Sequence, residues 1–114
     1  YVFTQVTTNV NNDVKQVACG NNYTLILKND GSLWGCGDNE GVLGQNNTTK
    51  KTYFTKATIN INNDVKDIAS HKIHAAILKN NGTVLVAGRG DSSQLGIGST
   101  STYQTVYIPI PAPK

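Results

Sequence analysis

The sequence has few charged residues, few cysteines and no long apolar segment. Charged residues make up 15% of the 114 residues and hydrophobic residues 38%, which excludes the high-charge, low-hydropathy composition of intrinsic disorder. Solubility must therefore rest on Asn, Thr, Ser and Gly, which favour turns and exposed strand faces. No apolar run approaches the roughly 20 residues of a membrane-spanning helix. Residues 1–5 lack the charged and apolar regions of a signal peptide, and the sequence leaves both a cytoplasmic and an exported location open.

The weak positive charge gives little support for nucleic-acid binding. The net charge is +3, and the ten basic residues are scattered, with Lys50 and Lys51 as the only adjacent pair. Nucleic-acid-binding proteins usually concentrate Lys and Arg in a stripe, so we favour a mildly basic, solvated surface. A nucleic-acid partner stays an alternative, because folding can gather distant lysines onto one face.

The strongest signal in the sequence is an internal duplication, the signature of a repeat architecture. An offset of 51 residues aligns segment 10–15 with 61–66, segment 26–29 with 77–80, and Gly31 with Gly82. The second copy then gains one residue before its Leu-Gly pair, and a third unit starts near residue 105. We expect one segment over residues 1–114, with repeat 1 at about 3–53, repeat 2 at about 54–105 and a final strand at about 104–109.

Each copy predicts four short strands. Residues 14–19 alternate apolar and polar side chains, the period of a half-buried strand. Segments 23–28 and 74–79 run into Asp30-Gly31 and Asn81-Gly82, a typical hairpin signal. Further strands are predicted at 53–57 and 104–108, and no stretch has helical periodicity. The fold class is therefore all-β, with four-stranded antiparallel sheets that bury their faces by stacking, as propeller blades do.

Two cysteines are too few for the disulfide framework of a small secreted domain. Cys19 and Cys36 lie near two neighbouring predicted strands, so a single bridge between them stays an alternative. The matching positions of the second copy hold the small residues Ser70 and Ala87. We therefore favour two free, buried cysteines that fill small spaces, since free cysteine behaves as a small hydrophobe.

Short motifs recur at matching positions in the two copies. The first copy carries Ala18-Cys19-Gly20, Tyr23-Thr24, Asp30-Gly31, Gly37-Asp38-Asn39 and Leu43-Gly44; the second carries Ala69-Ser70-His71, His74-Ala75, Asn81-Gly82, Gly88 and Gln94-Leu95-Gly96. The combined pattern resembles the repeat of the regulator of chromosome condensation family, although that family's usual tryptophan before the glycine is replaced by Cys36 and Ala87. The resemblance implies blades of a seven-bladed propeller. Two repeats cannot close such a propeller, so we favour two blades of a longer protein over the alternative, a ring assembled from several chains.

No motif in the sequence favours catalysis, a metal or a cofactor. The glycines form neither a P-loop nor a dinucleotide-binding fingerprint. His71 and His74 are three residues apart, but they span a turn and a strand start, not one face of a helix. Nothing in the spacing of Glu40 and Asp91 makes two carboxylates converge on one substrate, and no nucleophilic triad is recognisable. We therefore expect a protein that is not an enzyme.

We expect function to lie in the loops, since sheets act as their scaffold. The variable segments are 37–51 and 88–103, and the partner-binding residues predicted from loop position are Asp38, Asn39, Glu40, Arg89 and Asp91. The favoured function is a protein-interaction scaffold. The alternatives are part of a guanine-nucleotide exchange factor for a small GTPase, which the resemblance implies, and a structural or cell-surface repeat array. Open blade faces also predict self-association.

Overall fold

A computed structural model describes residues 3–39, 41–89 and 103–110 of the chain. The regular structure in these ranges consists of eight strands: β1 (Val14–Gly20), β2 (Tyr23–Lys28), β3 (Leu33–Gly37), β4 (Lys51–Ala57), β5 (Val65–His71), β6 (His74–Lys79), β7 (Val84–Arg89) and β8 (Tyr103–Pro109). The all-β prediction is confirmed. Nowhere in the described ranges is there a helix that is long and apolar enough to cross a membrane.

The strands form two antiparallel sheets of four, each with its strands in chain order. The first sheet runs β1-β2-β3-β4 and the second β5-β6-β7-β8, which confirms two propeller-like blades. The first three strands of each sheet come from one sequence repeat. The fourth strand comes from the segment at which the next repeat begins. The sheets are therefore out of phase with the repeats as aligned from the sequence.

Both predicted hairpins are present, and each depends on a glycine in the left-handed region. Gly31 has a φ of 84° and donates its N–H to the carbonyl of Lys28 at 3.0 Å. Gly82 has a φ of 87° and donates in the same way to Lys79 at 3.0 Å. Glycine adopts this conformation without the steric cost that a Cβ atom brings.

A duplicated lysine–aspartate pair explains why Asn-Asn-Asp and Leu-Lys-Asn recur in both copies. Lys28 Nζ lies 3.2 Å from an Asp13 carboxylate oxygen, and Lys79 Nζ lies 3.2 Å from Asp64 in the same way. Lys28 is buried, and its ammonium group also lies 4.2 Å from the centre of the Trp34 ring. Each pair fixes the turn that enters the sheet against the end of its second strand.

The core lies between the two sheets. Residues about one repeat apart face each other there: Asn21 N donates to Lys72 O at 2.8 Å, and Tyr23 Oη donates to His74 O at 3.1 Å. Val65 N donates to Gly31 O at 3.0 Å. The apolar side chains between the sheets include Leu25, Leu27, Leu33, Val42 and Leu43 from the first, and Ile68, Ala75, Ile77, Leu85, Ala87 and Tyr107 from the second.

The prediction that both cysteines are buried is wrong for Cys19, which is exposed, whereas Cys36 is half-buried. Cys19 lies on the face of the first sheet that points away from the second sheet. Its counterpart Ser70 is on the covered face, where Ser70 Oγ donates to Cys19 O at 2.8 Å. Burial therefore depends on whether a neighbouring sheet covers that face.

The bridge between the cysteines is excluded by strand register. Cys19 and Cys36 both pair with Thr24, from opposite sides, so two strand spacings of about 4.8 Å separate their Cα atoms. The resulting distance of about 10 Å exceeds the roughly 7 Å limit for a disulfide. Both cysteines are free, and burial raises the pKa of the Cys36 thiol.

Candidate functional site

Two turns and one long loop meet at one end of the two sheets. The β1–β2 turn, the loop at 38–50 and the β5–β6 turn lie together, joined by Asp38 N donating to Asn22 O at 2.8 Å and by Asn21 N donating to Lys72 O at 2.8 Å. They enclose a cleft of about 410 Å³, within the size range of ligand pockets. We call this side of the molecule the cleft end.

The cleft combines amide, charged and apolar groups. Asn21, Asn22 and Thr48 supply polar side chains, while Tyr23, Val42 and Ile73 supply the apolar part of the lining. Burial raises the pKa of Tyr23 to about 12, so its hydroxyl stays protonated and acts as the donor to His74 O. A surface with fixed apolar groups and several amide partners can bind polypeptide.

Charge enters the cleft at its rim, where Asp38 and Lys50 face each other. Their closest charged atoms are 3.9 Å apart, which is long for an ion pair. Both side chains are well exposed, Lys50 by 70%, and exposed pairs of this kind contribute about 0–1 kcal/mol to stability. The Lys50 ammonium group and the Asp38 carboxylate therefore lie near each other, but their contact is weak enough for either group to bind another partner.

Asn39 organises the loop at 38–50 from within. It is buried, and its amide nitrogen donates to Asn47 O at 3.0 Å and to Thr49 O at 3.1 Å. Its amide oxygen accepts from Gly41 N at 3.0 Å. The side chain of Asn39 thus fixes the conformation of the loop at 38–50. A partner at the cleft end would contact a loop whose conformation depends on Asn39.

Residues of β8, in the second sheet, also fix the loop at 38–50. Tyr107 of β8 is fully buried, and its hydroxyl donates to Val42 O at 2.9 Å. Asn46 N donates to Thr105 O at 2.8 Å. Gly44 has a φ of 67° and lies so close to the Tyr107 ring that a Cβ atom there would be 2.5 Å from it. The loop is therefore fixed across the boundary between the blades.

The structure places three of the five predicted contact residues at the cleft end. Asp38 lies on the rim, Asn39 lies inside the loop, and Arg89 occupies the position in the second sheet that Asp38 occupies in the first. Arg89 N donates to Ile73 O at 2.8 Å, as Asp38 N does to Asn22 O. Glu40 and Asp91 lie outside the described residues.

Sequence reasoning missed Asn22, Thr48 and Lys50 as cleft residues. Asn22 has a φ of 60°, and the Gly-Asn-Asn sequence before β2 is a turn signal that could have drawn attention to this position. Thr48 and Lys50 lie in the variable segment 37–51, but nothing local distinguishes them within it, because they reach the cleft only when the loop folds back over the sheet.

A histidine pair lies beside the cleft, with His71 at the end of β5 and His74 at the start of β6. The rings of His71 and His74 are 5.9 Å apart between centroids, in an edge-to-face arrangement. Burial and the neighbouring His71 lower the pKa of His74. In the described ranges no three His, Cys, Asp or Glu side chains come together as metal ligands would.

The histidine pair predicts a loss of stability in mild acid. Because the folded state lowers the pKa of His74, the unfolded state binds more protons, and the free energy of unfolding should fall as pH drops below about 6.5. Urea unfolding at pH 7, 6 and 5 measures this. His74→Gln should remove most of the slope, while His71→Gln should keep most of it, because burial is the larger cause. The same slope in His74→Gln would contradict the assignment.

The aspartates in the turns that precede β1 and β5 affect stability at a lower pH than His74 does. Hydrogen bonds from Asn11 N and Lys28 lower the pKa of Asp13. In Asp64 burial acts in the opposite direction, but Asn62 N and Lys79 together still lower the pKa. Their contribution to stability is present above the ordinary pKa of about 4 and is lost below it. The change in stability between pH 7 and pH 5 is therefore assigned to His74.

Comparison with known proteins identifies the repeat. Residues 14–45 match the family model of the regulator of chromosome condensation (RCC1) repeat. A Bos taurus secretion-regulating guanine nucleotide exchange factor is 31% identical over 85 residues, which cover 74% of this chain and 18% of that protein. The Caenorhabditis elegans X-linked retinitis pigmentosa GTPase regulator homolog is 28% identical over 100 residues, covering 86% of this chain and 7% of that protein.

Solved structures agree with this fold. Human WBSCR16 matches with a TM-score of 0.80 and 24% identity, covering 86% of this chain and 25% of that one. Yeast RCC1 (Prp20), in its complex with Kap60, matches with a TM-score of 0.77 and 23% identity, covering 90% and 26%. Another structure of Saccharomyces cerevisiae Prp20p, described together with its binding to Gsp1p and histones, has a TM-score of 0.76.

The chain spans less than a fifth of these two curated relatives and about a quarter of the solved propellers. Its two sheets correspond to consecutive blades, and the matched repeat includes β1, β2, β3 and part of the loop that lines the cleft. The chain therefore carries the repeat of the regulator of chromosome condensation family and forms two divergent blades of a β-propeller fold.

Proposed function

We propose that these two blades serve a non-enzymatic protein-interaction scaffold and that the cleft end is a partner surface. The observation that carries this proposal is the cleft between the blades, whose long loop is fixed by Asn39 inside and by Tyr107 beneath. A loop held in one conformation loses little conformational freedom when a partner binds, which favours recognition. The predicted contact residues Asp38 and Arg89 lie at this end.

The relatives support a protein partner without specifying one. Yeast Prp20 binds Kap60, and Prp20p was described with its binding to Gsp1p and histones. These are properties of those proteins, whose chains are about four times as long as the matched part. For this chain they support only the general class of partner.

Site-specific photocrosslinking tests the surface. A photoreactive amino acid at Thr48, in the cleft, should form adducts with a protein in a lysate of the host organism that makes this chain. The same group at Asn80, in the β6–β7 turn at the opposite end of the sheets (the far end), should not. The purified partner should then bind Lys50→Ala more weakly than the original chain, with Lys66→Ala as the control. Equal adducts at both positions, or adducts with nucleic acid alone, would contradict the proposal.

We also propose that the free sheet faces associate. Val17 is exposed on the face of the first sheet that points away from the second, and Val84 is 36% exposed on the opposite outer face. Asp67, Ala69, Ala76 and Leu78 line a hollow of about 160 Å³ beside Val84. Exposed apolar faces of this kind mark contact surfaces.

Light scattering over a range of concentrations measures this association. The mean mass should rise with concentration, and a discrete trimer or tetramer would indicate a ring of six or eight blades. Val84→Lys should reduce the mass towards that of a monomer. Ile59→Lys is a matched control. Ile59 is 38% exposed, but it lies in the connection between β4 and β5 and not on a sheet face. A monomer at every concentration would refute the proposal.

A further inference from the structure

Basic side chains outnumber acidic ones among the described residues of the cleft end. At the cleft end the described basic residues are Lys50, Lys51, Lys72 and Arg89, and the described acid there is Asp38. The far end carries Asp13, Asp30 and Asp64 in its turns, but it also carries lysines, and Asp13 and Asp64 are paired with Lys28 and Lys79 there. Hydrogen bonds from the Ser32 hydroxyl and N–H lower the pKa of Asp30, so its carboxylate stays ionised, as those of Asp13 and Asp64 do. The described residues at the cleft end therefore carry a net positive charge.

Lys50 is the basic group best placed to act inside the cleft. It lines the cleft, its side chain is 70% exposed, and its contact with Asp38 is 3.9 Å long. Little energy is lost when such a solvated pair exchanges partners. An incoming carboxylate could therefore replace Asp38 as the partner of Lys50.

The rest of the lining fits polypeptide better than a phosphate polymer. Asn21, Asn22 and Thr48 can exchange hydrogen bonds with the N–H and C=O groups of an extended backbone. Val42 and Ile73 offer apolar surface to a side chain next to the acidic one. Asp38 repels any anion, but its carboxylate can accept a peptide N–H, a donor that the backbone of a phosphate polymer lacks.

We infer that the cleft binds an extended acidic polypeptide segment, with an Asp or Glu side chain of the partner on Lys50 and an adjacent apolar side chain against Val42 and Ile73. This inference rests on the proposed function, that the cleft end is a protein-binding surface, and adds the chemistry of the bound segment. Lys72, next to Ile73 in the β5–β6 turn, extends the basic rim along the path of the segment.

Fluorescence anisotropy with labelled peptides tests this chemistry on the whole chain. The acidic probe alternates Glu and Leu over eight residues, and the matched probes replace Glu by Gln or by Lys; an oligothymidine probe represents phosphate polymers. The acidic peptide should bind about tenfold more tightly than the Gln peptide, and added salt should weaken it. Equal binding of the Glu and Gln peptides, or tighter binding of oligothymidine, would overturn the inference.

Variants with opposite expected signs separate recognition from misfolding. Lys50→Gln should weaken the acidic peptide about three- to tenfold, whereas Asp38→Asn should strengthen it, because it removes the competing carboxylate. Lys66→Gln, at the far end, should leave binding unchanged. Amide NMR shifts on adding the acidic peptide should concentrate at Asn21, Asn22, Thr48 and Ile73; shifts confined to other surfaces would also overturn the inference.

The two proposals can fail separately. If Thr48 crosslinks a protein but the Glu and Gln peptides bind equally, the partner surface stands and its acidic preference is wrong. If the acidic peptide binds as expected and Thr48 yields no protein adduct from the host, the chemistry of the cleft is right and its use as a partner surface in that host is not.

Discussion

Replacing Tyr107 by alanine is expected to lower the free energy of unfolding by about 3–5 kcal/mol, the range for removing a fully buried aromatic side chain. The ring belongs to the second sheet but packs beneath the loop of the first, against Gly44. Its hydroxyl is the donor to Val42 O at 2.9 Å. The substitution therefore removes core volume and one of the ties between the blades together. Urea unfolding followed by far-ultraviolet circular dichroism measures the change.

Two further variants divide this effect. Tyr107→Phe keeps the ring but leaves Val42 O without its donor, which should cost about 1–3 kcal/mol. Tyr53→Ala serves as the control, because Tyr53 is a strand tyrosine that is 63% exposed, and its loss should change stability by less than about 0.5 kcal/mol. If Tyr107→Ala and Tyr53→Ala destabilised the chain equally, the loop would not be anchored as described.

The anchoring of the loop also links stability to binding. Val42 lines the cleft, and its carbonyl is the acceptor for Tyr107. In a Tyr107→Ala chain that is still folded, the loop should lose its fixed conformation. Binding of the acidic peptide should then weaken although Tyr107 is not in the cleft, whereas Tyr53→Ala should leave it unchanged.

The strands and hairpins followed directly from the sequence because they depend on local pattern. Segments 23–28 and 74–79 match β2 and β6 residue for residue, since β-branched and apolar runs end there at Asp-Gly and Asn-Gly turns. The duplication added a second, independent copy of each signal. Two four-stranded sheets could thus be predicted without any knowledge of how they pack.

The cleft could be predicted only in part because its contacts are long-range. The sequence located Asp38 and Arg89 by their loops, but it could not show that Asn39 is buried by bonds to Asn47 and Thr49. Lys50 comes to face Asp38 only when the loop folds back. The burial of Cys19 failed for a related reason, because alternation along a strand identifies its two faces without saying which one a neighbouring sheet covers.

The two hairpin glycines can be used to test which sheet faces are covered by a neighbouring sheet. Gly31 and Gly82 are equivalent positions with φ of 84° and 87°. A Cβ atom on Gly31 would be 2.2 Å from Asn63 O, a backbone atom that cannot easily move, whereas one on Gly82 would meet nothing within 4 Å. Gly82→Ala is therefore expected to cost only the left-handed backbone penalty of about 1–2 kcal/mol. Gly31→Ala should cost about 1–3 kcal/mol more, from overpacking between the blades.

Urea unfolding of the two variants at low protein concentration measures this difference, and equal costs would mean that the blades do not pack as described. At high concentration the comparison tests the outer face of the second sheet. If another blade-like sheet packs there as the second packs on the first, Gly82 acquires the surroundings of Gly31, and an added Cβ atom collides with the incoming turn. Gly82→Ala should then reduce self-association in light scattering. An unchanged mass profile would mean that the chains associate through some other surface.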